Sequence, residues 1–222
     1  MIRPHKGVGR KRGTMIRISA AALLLAVTLG GCSVYREATS PTAAFSTDWR
    51  QAATESDRTK LRQWRKAWDE ALPPAKTADA GAIAADANLF DPDRALPGAR
   101  LAAGKYRCRT YKLGAQSPGN RAFTAYPWFD CEVSDEGELG SFHKRTGSQR
   151  PTGLLFADTP TRSVFLGTLI LGDETSPLRY GIDRNRDMAG YIDRIGDQRW
   201  RLVFPYPRFE SLLDVIELVP AG

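Results

Sequence analysis

The side chains with chemistry to offer in this chain are few. His143 is the only histidine beyond the first residues. A serine or cysteine hydrolase needs a nucleophile with a base in reach. His143 follows Phe142 in a segment of strand character, and no Gly-x-Ser-x-Gly elbow occurs. Gly147-Ser148 lacks the second glycine. Paired carboxylates can cleave sugars, but most of Asp130, Glu132, Asp183, Asp187, Asp193 and Glu217 alternate outward or lie in turns. Asp183-Arg184-Asn185-Arg186-Asp187 opens like a calcium loop, with oxygens at alternate positions. Met188 then stands where the sharp turn needs glycine, and Arg194 where the bidentate Glu belongs. No catalytic residue, metal or cofactor is expected.

What remains is Ser148, Gln149 and Arg150 with Tyr180, Arg184, Arg186 and Asp187. Both groups sit in loops at strand ends, where binding residues often ride on a rigid scaffold. If the two loops share one end of the fold, arginine forks there can recognise an anionic group. The alternative is arginines that are solvated or paired with nearby Asp.

The cysteines fix the compartment. Arg3, Lys6, Arg10, Lys11, Arg12 and Arg17 form a basic head without acids. The apolar run 18–28 is shorter than the roughly 20 residues a membrane span needs. A basic head, a short apolar run and small residues at the cut make a secretory signal. Leu29-Gly30-Gly31-Cys32 resembles a bacterial lipobox, in which Cys32 becomes the acylated first residue after removal of 1–31. Translation from Met15 would leave a compact Met-Ile-Arg head. Ser33 after the cysteine resembles the outer-membrane sorting class, and no twin-Arg pair is present. The expected place is the cell envelope, lipid-anchored in the outer membrane and facing the periplasm.

Six of the 32 basic residues and none of the 25 acids precede Cys32, leaving 26 against 25, a net of +1. The basic character belongs to the signal, so nucleic acid is not an expected partner. Cys108 and Cys131 remain, an even pair in an oxidising compartment, and a disulfide is expected.

The elements that must position these residues follow in order. Residues 32–46 read as a tether. In 47–104, Leu61, Trp64, Trp68 and Leu72 recur at helical spacing, predicting one amphipathic helix over 48–72, capped by Ser46 or Thr47 and stopped by Pro73-Pro74. A weaker helix is expected over 75–89, and 88–104 reads as a connector. In 105–222 the period becomes two. Phe129, Cys131 and Val133 alternate with Asp130 and Glu132, and 164–171 is almost continuously apolar with Gly167 inside it, a strand buried on both faces. Gly196-Asp197 is the clearest hairpin turn. About nine short strands, 178–182 among them, without helices between them predict an antiparallel meander. The fold class is α+β, mainly β: the helix packs on a small barrel or strongly curved sheet, with 47–222 one folded unit.

Such a meander resembles calycin-type barrels in architecture. A closer resemblance rests on Tyr106-Arg107-Cys108-Arg109, Lys112-Leu113-Gly114, Thr146-Gly147-Ser148-Gln149-Arg150-Pro151 and Phe165-Leu166-Gly167-Thr168. It continues through Tyr180-Gly181, Arg186-Asp187 to Gly190, and Arg199-Trp200-Arg201-Leu202. The set resembles an uncharacterised family of alphaproteobacterial envelope proteins known only as a domain of unknown function, over 48–219. The resemblance implies a single domain and supports the Cys pair; it implies no activity. The function expected first is non-enzymatic binding of a small amphiphilic or envelope-derived ligand. The second is a protein-interaction module, inhibitor or accessory subunit, and an enzyme is third. A barrel interior filled by side chains would count against the first.

Overall fold

Eight antiparallel strands carry the alternating segments: β1 (Gly104–Ala115), β2 (Phe123–Glu136), β3 (Leu139–Lys144), β4 (Gln149–Thr159), β5 (Arg162–Leu171), β6 (Asp187–Gly196), β7 (Arg199–Pro205) and β8 (Ser211–Pro220). The computed structural model describes residues 46–222. The signal, Cys32 and the tether up to residue 45 lie outside the described residues. Each strand pairs with the next, and β8 returns to β1, with Cys108 opposite Leu218 and Leu113 opposite Leu213. The sheet is therefore a closed barrel, which leaves no edge open to other chains. The Cys108–Cys131 disulfide ties β1 to β2. Its 24-residue loop is worth about 3 kcal/mol in the chain-entropy view.

Two details of the expected strand pattern are corrected. Leu178–Ile182 is not a ninth strand; it lies in the long 172–186 loop between β5 and β6. Pro177 has no N–H to give a ladder, and Gly181 turns the backbone to φ +86°. The β6–β7 hairpin turns at Asp197-Gln198 rather than Gly196-Asp197. β6 runs on through Gly196 after a register shift, and Gln198 takes the left-handed conformation.

Strand alternation splits the side chains into two sets. Phe142, Phe165, Leu202, Phe204, Ile216 and Leu218 face inward with the disulfide and form one buried cluster. The rings of Phe142 and Phe165, and of Phe165 and Phe204, meet edge to face at 6.1 and 5.4 Å. Gly153 and Gly167 stand opposite each other in the wall. A Cβ on Gly167 would lie 2.6 Å from the Phe165 ring and 2.7 Å from the Gly153 Cα, so these glycines make room for the aromatic plug. Outward residues of β5, such as Val164 and Leu166, are buried with Trp49 and Leu61. That is why this strand is apolar on both faces.

The outer cover comes from the residues before β1. It comprises α1 (Trp49–Ala52), α2 (Glu55–Arg62), α3 (Trp64–Ala78), α4 (Ala80–Ala85) and α5 (Ala87–Phe90). The single expected helix over 48–72 is thus three. Asp48 caps the first through the Arg50 N–H, and Thr54 caps the second through the Asp57 N–H. Nor does Pro73-Pro74 end the helix, since α3 contains both prolines. They forgo bonds only to the carbonyls of Asp69 and Glu70, two exposed residues. Meanwhile Ala67, Trp68, Ala71 and Ala75 pack on Leu113, Leu213 and Val215 of the barrel wall. Tertiary burial outweighs the cost of proline here.

The connector is pinned by a fully buried arginine. Arg201 donates to the carbonyls of Leu89 and Arg94 at 2.9 and 3.0 Å and pairs with Asp193 at 3.2 Å. Trp200 Nε1 donates to Gly98 O, and Tyr106 Oη to Ala102 O. Leu101 joins the interior cluster. Residues 96–103 thereby cross the end of the barrel at which β1 begins.

Candidate functional site at the barrel mouth

An antiparallel meander puts alternate loops at the same end. The loops 116–122, 145–148, 172–186 and 206–210 all lie at the end opposite the connector. The aromatic plug stops short of them and leaves a cavity of about 140 Å³. Phe129, Leu169, Met188, Phe204 and Ile216 give it an apolar floor. Its polar wall comes from Lys112, Lys144 and Asp214 on the strands, with Ser148, Gln149 and Glu210 at the rim.

The rim is cross-linked. Arg150 Nη1 donates to Gly147 O and Gly172 O, both at 2.7 Å, and Nη2 to Glu174 O at 2.7 Å. Arg186 grips the Glu174 carboxylate with both Nη atoms at 2.8 Å and holds its pKa down to about 2. Arg208 Nε donates to Asn185 Oδ1 at 2.8 Å, and Asn120 Nδ2 to Glu210 O at 2.7 Å. All four loops are thus joined, since Gln116 Nε2 also reaches Pro207 O. A ligand entering here meets a preformed rim.

Lys112 and Lys144 point inward by alternation, yet they are held differently. Lys112 Nζ pairs with Asp214 at 3.0 Å and Glu210 at 3.3 Å. Burial opposes its charge, but the two acids outweigh burial and raise its pKa. Burial also pushes the Asp214 carboxyl up, so its charge leans on Lys112 and on the Ser211 hydroxyl. Lys144 Nζ donates to Thr146 O at 2.8 Å and Gln149 O at 3.1 Å, and lies 3.6 Å from the centroid of the Phe129 ring. Among the described residues it has no acid partner. Burial, then Arg150 and Lys112, push its pKa down to about 8. Gly147 is part of this seat: at φ +92°, a Cβ there would sit 2.6 Å from Lys144 Nζ.

The seven residues singled out in sequence divide between these structures. The two loops do share one end of the barrel. Ser148, Gln149 and Asp187 border the cavity. Asp187 is buried, with Oδ1 accepting from the Gly181 N–H and Oδ2 without a partner among the described residues, and burial raises its pKa. Arg150 and Arg186 spend their donors on the loops themselves, and Arg184 is exposed. Tyr180 turns to the helical cover, where its Oη donates to Asp57 at 2.7 Å and accepts from the Thr54 N–H. The residues missed are Lys112, Lys144 and Asp214. Their signal was present: Lys112 continues the inward series Tyr106, Cys108, Thr110, and Lys144 follows Phe142 by two.

His143 lies on the outer side of β3, bonded to Thr152 Oγ1 and across the ladder from Glu132. Burial lowers its pKa. Asp183 closes a tight turn: its Oδ1 accepts from the Asn185 N–H, as in an Asx turn, and its carbonyl from the N–H groups of Arg186 and Asp187. Among the described residues, no group of three or more His, Cys, Asp or Glu stands together as a metal site.

No curated protein and no solved structure matches the chain. Residues 49–218, which span both the helical cover and the barrel, match a family described as a domain of unknown function (DUF4893). That span is most of the sequence, and the chain belongs to the DUF4893 family.

Proposed function

We propose that this protein is a lipid-anchored cell-envelope protein whose barrel is a non-enzymatic binding module for a small amphiphilic ligand. The observation that carries the reading is the half-filled barrel: an aromatic plug on one side, and a cavity with an apolar floor and charged wall at the mouth. The cavity narrows the ligand. A void of roughly 150 Å³ takes a single benzene ring, so about 140 Å³ accepts a short body or the end of a longer one, not a whole lipid. The closed antiparallel barrel is compatible with such a use, as is the resemblance of the meander to calycin-type barrels.

The basic head, the short apolar run and Leu29-Gly30-Gly31-Cys32 support export and acylation at Cys32. The resemblance to alphaproteobacterial envelope proteins points the same way, and the disulfide suits an oxidising compartment. Ser33, which resembles the outer-membrane sorting class, supports an outer-membrane anchor facing the periplasm. A second reading, an inhibitor or accessory subunit of an envelope complex, is favoured by Leu178 and Ile182, which are 45% and 61% exposed on the 172–186 loop.

Native mass spectrometry of the protein, gently extracted from its own membranes, tests both. The expected spectrum is the acylated chain from Cys32 carrying a small molecule that mild activation releases. A stoichiometric complex with another protein and an empty cavity would favour the second reading. Absence of the acyl mass would overturn the anchor.

A further inference from the structure

We infer that Lys144 receives the anionic head of the ligand, whose short apolar body lies on Phe129, Leu169 and Phe204. The inference rests on the binding reading above and names its ligand class: a small monoanionic amphiphile of the carboxylate type.

The ground is an unbalanced charge in a built seat. Lys144 is 5% exposed and borders the cavity. Its ammonium has backbone carbonyls and a ring face around it, but no carboxylate among the described residues. The charged groups facing it do not supply one, and Asp187, which also borders the cavity, stands on the outer side of β6 and accepts from the Gly181 N–H. From β1 comes Lys112, a second cation, whose neighbours Asp214 and Glu210 are already committed to it. From β4 comes Arg150, committed to loop carbonyls. A buried charge is expensive unless something pairs with it, and an anion entering the mouth is the missing partner. Ser148 and Gln149, beside it on the rim, add polar groups for the same head. The apolar floor then selects for a carbon body over a bare inorganic ion.

The test is calorimetric titration of hexanoate, hexanol and hexylammonium into the acylated protein, purified from its own membranes and placed in lipid nanodiscs, with empty nanodiscs as the blank. Hexanoate is expected to bind one to one, with hexanol and hexylammonium weaker by about tenfold or more. Lys144→Met should weaken hexanoate by a similar factor and leave hexanol unchanged, while Lys144→Arg retains hexanoate. Should the methionine variant fail to fold, the unmodified protein still decides. Its hexanoate affinity is expected to fall between about pH 7 and about pH 9.5 as the ammonium loses its proton, whereas a flat profile overturns the role of Lys144. Equal binding of hexanoate and hexanol removes the anionic head but leaves the cavity as a binding site. Preference for hexylammonium reverses the inferred charge. Binding of none of the three overturns the cavity reading itself.

Discussion

Lys112 and Lys144 are equally buried, each 5% exposed, and respond oppositely to pH. The Lys112 ammonium is raised above its ordinary pKa by Asp214 and Glu210. Lys144 is lowered from 10.5 to about 8. The folded chain therefore gives up the Lys144 proton first, while the unfolded chain keeps it up to its ordinary value. Below about pH 8 both states hold the proton and the fold bears the cost of the buried charge. Above it the unfolded state binds more protons, so stability rises with pH, by at most about 1.4 kcal/mol per pH unit. Lys144→Met removes this slope. Urea unfolding of both proteins from pH 7 to 9.5 should show the wild type gaining relative to the variant only above about pH 8; parallel profiles would contradict the assignment. Neither lysine stands out in the sequence. A charged residue in an alternating strand usually faces water, and only the inward parity of Tyr106 and Cys108, or of Phe142, marks these two as exceptions.

The elements are held to one another by buried arginine. Arg201 is fully buried and joins β7 to the end of α5 and the connector, while Asp193 balances it and also accepts from Arg162 at 2.8 Å. Asp193→Ala leaves two guanidinium groups without their acid and should cost about 3–5 kcal/mol, read as a lowered urea midpoint. Replacing Asp193 and Arg201 together by apolar residues should cost less than the single change, and a single change below about 1 kcal/mol would show that the connector does not depend on the pair. The sequence displays such arrangements poorly. Arg150 and Arg186 look like ligand forks because their partners, loop carbonyls and Glu174, are assigned by the fold rather than by spacing. Pro73-Pro74 looks like a stop because the buried alanine stripe holding α3 is visible only beside the barrel wall. By contrast, the period-two runs and turn clusters were legible, because each strand buries one face locally.

For the whole molecule, closure of the eight strands explains why no strand edge needs protection and why the two ends differ. The chain enters across one end and packs Leu101 into the interior. The other end is left to four loops that bind one another rather than the cavity. Antiparallel order followed from tight turns, whereas hollowness did not, because it depends on where Phe142, Phe165 and Phe204 meet inside. The crystal structure of the protein purified from its own membranes tests the hollow mouth most directly. Continuous non-protein density is expected on Phe129, Leu169 and Phe204, with its polar end at Lys144. A mouth filled by its own side chains, with Lys144 turned to a carboxylate of the chain, would contradict a binding barrel.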